Sequence, residues 1–263
     1  MKLADGCNAT GGDTKSSRCG SRSVLTTLVV RCSALAAHWP FSQRCGRCVS
    51  FAQASGGKLR IGIIGSGHIG GAIGRLWVKA GHPVLFSSRH PEELKDLVAG
   101  LGPLAQNGTV SQAVAFGDAL FFAVPYGALP QLGRDYGGAL QGKIVLDACN
   151  AVPARDGVIA DEVEREGVGI TSQKYLPGTH LVRAFNTLAC TIFVREANRP
   201  DPKLAIPIAG DDGEALAIAA GLVRDAGFEP VVVGKLVDAR RFQRGAPGYG
   251  QSVTAAEHRQ KLS

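Results

Sequence analysis

The sequence contains no apolar run long enough to cross a bilayer. A spanning helix needs about 20 consecutive apolar residues, whereas the moderately apolar stretch from Val24 to Ala37 is shorter and is interrupted by Arg31. Ala52-Gln53-Ala54 has the small-residue pattern of a signal-peptidase site, but it lies too far from that stretch, and no twin arginine is present. We therefore expect no membrane partner and a cytoplasmic protein, although the leader-like pattern leaves an exported form open.

Cysteine is scarce in most of the chain. Five of the seven cysteines lie within residues 1–58, and only Cys149 and Cys190 follow. Cys45-Gly46-Arg47-Cys48 has the CxxC spacing of a zinc-ligand or redox pair, but a second ligand pair at zinc-finger spacing is missing and no strand–helix–strand pattern surrounds it. The sequence therefore predicts no metal site, and the low cysteine content after residue 58 is typical of a reducing compartment.

An excess of positive charge is also missing from most of the chain. The formal net charge is +7 at pH 7, but residues 1–58 hold eight Lys and Arg residues against two Asp, so the rest of the chain has a net charge of only +1. A nearly neutral domain has no basic surface for phosphate backbones, and no nucleic-acid partner is expected. We interpret residues 1–58 as an N-terminal extension, poorly ordered or leader-like, and residues 59–263 as the folded domain.

Short apolar runs alternate with amphipathic helical segments from Leu59 onward, and this order predicts βαβ units. Between the first two runs the apolar positions recur at spacings of three and four, and that helix ends at Gly81 with Pro83 just beyond it. Strands are predicted near residues 59–65, 83–87, 119–124, 143–148, 180–184, 203–209 and 229–233. Further helices are predicted over 91–100, 125–138, 158–167 and 213–227. The expected fold is α/β, with a doubly wound, mostly parallel sheet.

A glycine-rich turn joins the first predicted strand to its helix. Gly65-Ser66-Gly67-His68-Ile69-Gly70 matches GxGxxG, which is a weak signal alone and a stronger one between a strand and a helix. The first glycine permits a tight turn, the second lets the backbone approach a pyrophosphate, and the third brings helix and strand together. The free N–H groups and the positive end of the helix dipole favour an anion there. The turn predicts an NAD(P)-binding Rossmann fold, and a turn that only reverses the chain is the less favoured alternative.

The end of the second predicted strand indicates which dinucleotide is bound. NAD-preferring sites place Asp or Glu there to bind the ribose 2′-hydroxyl, but this strand ends in Ser87-Ser88-Arg89 and has no acid. An arginine binds a 2′-phosphate through charge-assisted hydrogen bonds of about 1.5–3 kcal/mol each, which corresponds to a roughly 10- to 150-fold preference for NADP(H). A solvated turn arginine is the alternative, and the nearby Glu92 and Glu93 would weaken the preference.

These motifs together resemble the NADP oxidoreductase family typified by NADPH-dependent reductases of the deazaflavin coenzyme F420. The resemblance covers roughly residues 59–250. The segments that carry it are the glycine turn, Ser87-Ser88-Arg89, Ala123-Val124-Pro125-Tyr126, Val182-Arg183-Ala184-Phe185-Asn186-Thr187, Ala209-Gly210-Asp211-Asp212 and Ala226-Gly227-Phe228-Glu229-Pro230. The set is fairly specific to the family, and no single motif is specific to a substrate. The resemblance implies NADP(H) as cofactor and F420, a flavin or another small molecule as the second redox partner.

The resemblance and the positions of strand ends also imply individual site residues. Those expected to bind the cofactor are Gly65, Ser66, Gly67, His68, Ile69, Gly70, Ser87, Ser88, Arg89, Ala123, Val124, Pro125 and Asn150. Those expected to form the pocket of the second redox partner are Phe185, Asn186 and Thr187. Pro125 is equally well explained as a strand terminator, and Asn186 as a turn or capping residue. Glu93 stands where some relatives have a basic residue, so NADP selectivity depends mainly on Ser88 and Arg89.

No catalytic residue is predicted from the sequence. Hydride transfer is chemistry of the cofactors, for which a protein supplies binding and orientation, and no histidine lies in a recognisable acid–base arrangement. His68 is expected to fill space beside the cofactor, and Lys174 to be a surface charge. The tail around residues 240–250 combines cations, glycines and aromatic residues. It would line an anionic substrate pocket, contribute to a homodimer contact, or be an ordinary solvated tail.

The predicted function is hydride transfer between NADP(H) and a second redox carrier, such as a deazaflavin, or a small electrophile. The alternative is a non-catalytic NADP-binding redox sensor or partner-binding module. The missing acid–base group fits both functions, and only turnover of NADPH with an acceptor separates them.

Overall fold

The apolar runs of the sequence form short buried strands, and the amphipathic segments between them form helices. The computed structural model describes residues 57–262. The predicted N-terminal extension, with its CxxC pair and leader-like stretch, lies outside the described residues except for its last two positions, and its interpretation stays a prediction.

Eight strands and ten α-helices make up the described part of the chain. The strands are β1 (Ile61–Ile64), β2 (Val84–Ser87), β3 (Ala105–Gly108), β4 (Ala119–Phe122), β5 (Ile144–Asp147), β6 (His180–Arg183), β7 (Ala205–Gly210) and β8 (Glu229–Gly234). The helices are α1 (His68–Lys79), α2 (Lys95–Ala99), α3 (Val110–Phe116), α4 (Leu129–Leu140), α5 (Pro153–Asp156), α6 (Val158–Glu166), α7 (Val168–Tyr175), α8 (Cys190–Glu196), α9 (Gly213–Asp225) and α10 (Ala255–Leu262). Three short 3-10 helices cover Pro91–Leu94, Tyr126–Ala128 and Leu236–Phe242.

The strands form one sheet in the order β3-β2-β1-β4-β5-β6-β7-β8. Neighbouring strands are parallel, with the exception of the short antiparallel pairing of β6 with β7. Strands β1 to β3 follow one another toward one edge of the sheet, and strands β4 to β8 follow one another toward the other edge. The order therefore reverses between β1 and β4, and the prediction of a doubly wound, mostly parallel Rossmann-type sheet is confirmed. Ligands in such folds bind outside the carboxyl ends of the strands at this reversal.

Two hydrophobic clusters cover the two faces of the sheet. On one face the indole of Trp77 meets the rings of Phe121 and Phe185 edge-on, with centroids 5.1 and 5.8 Å apart. The indole nitrogen donates to the carbonyl oxygen of Leu222 at 2.8 Å, so α1 is bonded to α9 as well as packed on the sheet. This is the apolar face of α1 that the sequence spacing predicts.

Several elements differ from the sequence prediction. Strand β3 was not predicted because Ala105-Gln106-Asn107-Gly108 is polar and lies at the sheet edge, where only Gly108 is buried. The predicted helix over 91–100 is a 3-10 turn followed by the five-residue α2. Helices α3, α5, α7, α8 and α10 are also absent from the prediction, although α3 begins with a capping box in which Thr109 and Gln112 exchange hydrogen bonds.

The segment after β8 folds back onto the domain. The backbone N–H of Gly250 donates to the carbonyl oxygen of Thr187 at 3.0 Å, and that of Ala205 donates to Val253 at 2.9 Å. Between residues 57 and 262, no helix combines the length and the apolar content of a bilayer-spanning segment.

Candidate functional site

The glycine-rich turn between β1 and α1 is shaped by close backbone packing. Gly65 has a φ of +95°, and a Cβ at this position would lie 2.7 Å from the carbonyl oxygen of Ala123. A Cβ at Gly70 would lie 2.0 Å from the carbonyl oxygen of Gly65. The N–H groups of Gly65 and Ser66 donate to the carbonyl oxygen of Ser87 at 3.3 and 3.1 Å. Only glycine fits at the two ends of the turn, and the turn is fixed to the end of β2.

Gly67, in the middle of the turn, is glycine for a different reason. It is exposed, and an added Cβ would meet nothing within 4 Å. It is also the N-cap of α1, a helix whose first N–H groups receive no side-chain cap and whose first turn holds no acid. The unpaired N–H groups and the positive dipole end therefore remain open to an anion. The turn fits a diphosphate group, which needs a close, unobstructed approach to the backbone.

The three predicted cofactor residues at the end of β2, of which Ser88 and Arg89 are predicted to bind the 2′-phosphate, differ in their surroundings. Ser87 is fully buried, and its hydroxyl donates to the carbonyl oxygen of Ile63 at 2.6 Å. Ser88 is half-buried and its hydroxyl accepts from the N–H of His90 at 2.8 Å, so its own proton remains available. Arg89 is exposed. The hydroxyl of Ser87 thus ties β2 to β1, and the predicted role of Ser87 in cofactor binding stays a prediction.

Arg89 has no counter-ion in the structure. Within residues 57–262 its guanidinium makes no hydrogen bond or ion pair. Glu92 contacts the imidazole of His90 at 3.4 Å, and neither Glu92 nor Glu93 lies within ion-pair distance of Arg89. The charge that the sequence places at the end of β2 is therefore free to bind a phosphate.

A cleft of about 370 Å³ opens at the carboxyl ends of the central strands. Its walls come from the start of α1, the loops after β4, β5 and β6, and the C-terminal segment. The residues that line it are His68, Ile69, Ala123, Val124, Pro125, Ala148, Asn150, Val152, Arg155, Phe185, Asn186, Leu188, Arg244 and Tyr249. The structure thus brings six of the thirteen predicted cofactor residues and two of the three predicted pocket residues into one concavity, beside the reversal of strand order.

Asn150 and Asn186 join the loops after β5 and β6 at the cleft wall. The amide nitrogen of Asn150 donates to the carbonyl oxygen of Asn186 at 2.6 Å, and that of Asn186 donates to the carbonyl oxygen of Phe242 at 3.2 Å. The side-chain oxygen of Asn186 is buried and has no hydrogen-bond partner among the described residues. Because an unpaired buried acceptor is costly, this oxygen suits a ligand that offers a donor. Asn186 therefore fixes the turn and borders the cleft at once.

The other two predicted pocket residues have different roles. Phe185 has a φ of +59°, and its ring is 1% exposed, packed edge-on against Phe193 and Phe228. Its place in the cleft lining is therefore that of a core residue at the cleft floor. Thr187 does not line the cleft; it is buried, and its carbonyl oxygen holds Gly250 of the C-terminal segment.

A buried ion pair beneath the cleft was not predicted. Asp147 ends β5 and Arg183 ends β6; they are register partners, both are fully buried, and the guanidinium pairs with the carboxylate. Arg183 also donates to the carbonyl oxygen of Cys149 at 2.7 Å, while Asp147 accepts from the N–H of Cys149 at 2.8 Å. The pair thus fixes the backbone N–H and the carbonyl oxygen of Cys149, the residue before Asn150. An acid and a base at the ends of neighbouring apolar strands are the sequence signal that could have revealed it.

The thiol of Cys149 is held neutral. Burial, together with the negative charge of Asp147, raises its pKa well above the ordinary value. A neutral, fully enclosed thiol is inert toward oxidants and electrophiles, because the thiolate is the nucleophile. Cys149 therefore acts as a packing residue below the cleft.

The C-terminal segment supplies one wall of the cleft. Arg244 is exposed and Tyr249 half-buried, and both border the cleft. The segment is held in place by Gln243, whose side-chain oxygen accepts from the N–H of Val168 at 3.1 Å, and by the bond from Gly250 to Thr187. Of the three alternatives for this tail, the pocket wall agrees with the placement of Arg244 and Tyr249 in the cleft lining, and a role in binding an anionic substrate stays a prediction. The homodimer contact stays a prediction.

His68 and Lys174 lie where the sequence predicts them, whereas His82 is a buried residue with a structural role. His68 is exposed at the first position of α1 and borders the cleft. Lys174 is an exposed surface charge that pairs with Glu162 at 2.5 Å. His82 is buried and contacts Asp225 at 2.8 Å. In the described range, no three His, Cys, Asp or Glu side chains are grouped so as to hold a metal ion.

Comparison with known proteins agrees with this geometry. Residues 60–151 match the family described as NADP oxidoreductase, coenzyme F420-dependent. The chain is 30% identical over 192 residues to the metalloreductase STEAP3 of Rattus norvegicus, a match that covers 70% of this chain and 36% of that protein. The chain therefore spans about a third of the length of this curated relative.

Two solved structures share the fold over most of the domain. A hypothetical protein from Sinorhizobium meliloti is 27% identical, with a TM-score of 0.66, over 75% of this chain and 95% of its own. A candidate F420-dependent NADP reductase from Arthrobacter sp. FB24 is 20% identical, with a TM-score of 0.60, over 69% of this chain and 87% of its own. The chain thus shares a Rossmann-type α/β fold with both structures, and the family resemblance predicted from the sequence is confirmed within residues 60–151.

Proposed function

Given that residues 60–151 match the NADP oxidoreductase, coenzyme F420-dependent family, we propose that this protein is an NADP(H)-dependent oxidoreductase that transfers hydride between the nicotinamide and a second small molecule. One observation carries the proposal: an open, uncapped turn at Gly67 lies next to a strand end whose exposed Arg89 has no counter-ion among residues 57–262. The first feature suits a diphosphate and the second suits a 2′-phosphate.

The chain's own residues bind and orient the reactants. The N–H groups at the start of α1 hold the diphosphate, and Ser88 with Arg89 holds the 2′-phosphate. Ala123, Val124 and Pro125 border the path from the turn into the cleft, where Asn150 and Asn186 close the far side. Bound NADPH supplies a hydride from its nicotinamide ring, and the cleft keeps that ring against the second substrate.

The second substrate is proposed by class. Coenzyme F420 is the precedent in the family name, a flavin is a related ring system, and the name of the curated relative, a metalloreductase, adds metal ions as acceptors to be examined. The cleft is open at its mouth and lined by both apolar and polar side chains, which suits a flat redox-active ring with polar substituents.

A binding titration tests the cofactor assignment. NADPH and NADH are titrated separately into the wild-type protein, with a thermal shift and intrinsic fluorescence as readouts. NADPH should bind about 10- to 150-fold more tightly, because Arg89 adds charge-assisted hydrogen bonds to the 2′-phosphate. Arg89→Ala should reduce NADPH affinity to that of NADH and leave NADH affinity unchanged.

Two control variants sharpen the titration. Arg224→Ala removes an equally exposed arginine from α9, and Ser87→Ala removes the buried hydroxyl that bonds to Ile63. Neither should change the preference, although Ser87→Ala should lower stability by about 1 kcal/mol through the lost hydrogen bond. Equal affinity of the wild-type protein for the two cofactors would contradict the proposal.

Turnover separates an enzyme from a sensor. Consumption of NADPH is followed by its absorbance with F420, FMN, a quinone and a ferric chelate as acceptors. Steady consumption with any of them supports the oxidoreductase. Tight NADPH binding without consumption by any acceptor would favour the non-catalytic NADP-binding module.

A further inference from the structure

The cleft lining contains an arginine that is not among the residues proposed to bind the phosphates of the cofactor. Arg89, proposed to bind the 2′-phosphate, does not line the cleft, and the diphosphate is proposed to bind the N–H groups at the start of α1. Arg244 reaches the cleft from the C-terminal segment and lines it together with Asn150, Phe185 and Tyr249. Its charge is therefore available to a ligand in the cleft.

Arg244 is the cation of this wall that lacks a partner among the described residues. It makes no hydrogen bond or ion pair there. The other arginine of the cleft, Arg155, donates to the carboxylate of Asp156 at 2.8 Å and to the carbonyl oxygen of Asn150 at 2.7 Å, so its charge is already compensated. The residues that line the cleft include no Asp or Glu. An anion in the cleft would thus meet attraction from Arg244 and no repulsion from the lining.

A second cavity bordered by Arg244 differs from the cleft because acids contribute to its lining. Arg244 also borders a second cavity of about 250 Å³, which shares Asn150 with the cleft and whose lining includes Asp161 and Glu164. Neither acid lies within 4 Å of Arg244. An anionic group is therefore favoured on the cleft side of Arg244 and disfavoured on the other, which gives a bound anion a defined orientation.

We propose that the second substrate is an anionic electron acceptor, whose carboxylate, sulfonate or phosphate group is bound by Arg244 while its reducible ring faces the nicotinamide end of the cleft. This inference rests on the proposed function. For a quinone acceptor, NADPH gives a hydride to the quinone and one proton comes from solvent, so the products are NADP⁺ and the hydroquinone. Arg244 takes no part in the bond changes and acts on substrate binding.

The test compares two acceptors that differ only in charge. Anthraquinone-2-sulfonate and its neutral sulfonamide are titrated into the wild-type protein by calorimetry, with and without NADP⁺, at low and high salt. The sulfonate should bind about fivefold more tightly, as expected for one partly exposed ion pair, and the difference should shrink at high salt. Arg244→Gln should abolish the difference and Arg244→Lys should keep part of it.

Arg241→Gln is the matched control. It removes the same charge three residues earlier on the same segment, where Arg241 borders a separate cavity with Val231 and Arg259. This variant should retain the preference for the sulfonate. In turnover assays Arg244→Gln should raise KM for the sulfonate about fivefold, with kcat and the KM for the sulfonamide unchanged.

The outcomes distinguish this inference from the function on which it rests. Equal binding of the two acceptors to the wild-type protein, no binding of the sulfonate, or a preference that survives in Arg244→Gln would overturn the role of Arg244. Failure of NADPH to bind, measured separately, would overturn the proposed function. The titration without NADP⁺ still reports on Arg244 in that case.

Discussion

Breaking the buried pair of Asp147 and Arg183 should be the most destabilising charge change in the cleft region. Both side chains are fully buried and paired, so Asp147→Asn leaves an uncompensated guanidinium in the protein interior. Removing one partner of such a pair costs about 3–5 kcal/mol. A domain of this size has a total stability of about 5–15 kcal/mol, so the single change removes roughly a fifth of it or more. With about 2–4 °C lost per kcal/mol, Tm should fall by roughly 6–20 °C.

The double variant separates the charge effect from the loss of hydrogen bonds. Arg183→Met alone leaves a buried carboxylate without its cation and frees the carbonyl oxygen of Cys149. In the double variant, which combines Asp147→Asn with Arg183→Met, neither of the two side chains carries a charge. The asparagine oxygen can still accept a hydrogen bond from the N–H of Cys149. The double variant should therefore be more stable than the sum of the single effects predicts, by about 2 kcal/mol or more.

Urea unfolding followed by circular dichroism measures these free energies. The surface pair of Arg60 and Asp118 serves as the comparison, since its atoms approach to 2.6 Å but both side chains are at least one-third exposed. Asp118→Asn should cost less than about 1 kcal/mol. If Asp147→Asn costs no more than Asp118→Asn, or if the single effects at Asp147 and Arg183 simply add, the reasoning from burial is refuted.

Two further predictions concern the glycine turn and the C-terminal helix. Gly70→Ala should destabilise the fold by about 3 kcal/mol, because its Cβ would lie 2.0 Å from a backbone oxygen. Gly67→Ala should leave the free energy of urea unfolding unchanged and weaken NADPH binding at least tenfold. The reverse pattern of stability and binding would contradict the assignment of the turn. His258 is buried, and this burial lowers its pKa below the ordinary 6.5. Above about pH 6.5 it is neutral in both folded and unfolded chains, and below that pH the unfolded chain takes up the proton more readily. The stability of the wild-type protein should therefore fall between about pH 6.5 and 5 more steeply than that of His258→Gln, and parallel pH profiles of Tm would show that the imidazole is not the cause.

Much of the architecture could be predicted because it depends on local patterns. Short apolar runs separated by amphipathic segments specify buried parallel strands and their crossover helices, and seven of the eight strands follow this rule. The polar strand β3 does not, because an edge strand needs few apolar residues and is held by its pairing with β2. The turn at Gly65, Gly67 and Gly70 could also be predicted, since its GxGxxG spacing lies between a strand and a helix that local patterns specify.

By itself, the sequence determined the strand–helix order, the glycine turn and the arginine at the end of β2, because each depends on residues within a few positions of one another. Only the tertiary structure decided which side chains meet in the cleft. The hydroxyl of Ser87 bonds to Ile63 inside the fold, and Asp147 pairs with Arg183 on the adjacent strand. Arg244 lines the cleft although it lies near the C-terminal end of the sequence. The cleft lining collects residues up to 176 positions apart in the sequence, from His68 to Arg244. The free energy that fixes them comes from burial and pairing in the assembled core, which local sequence patterns do not encode.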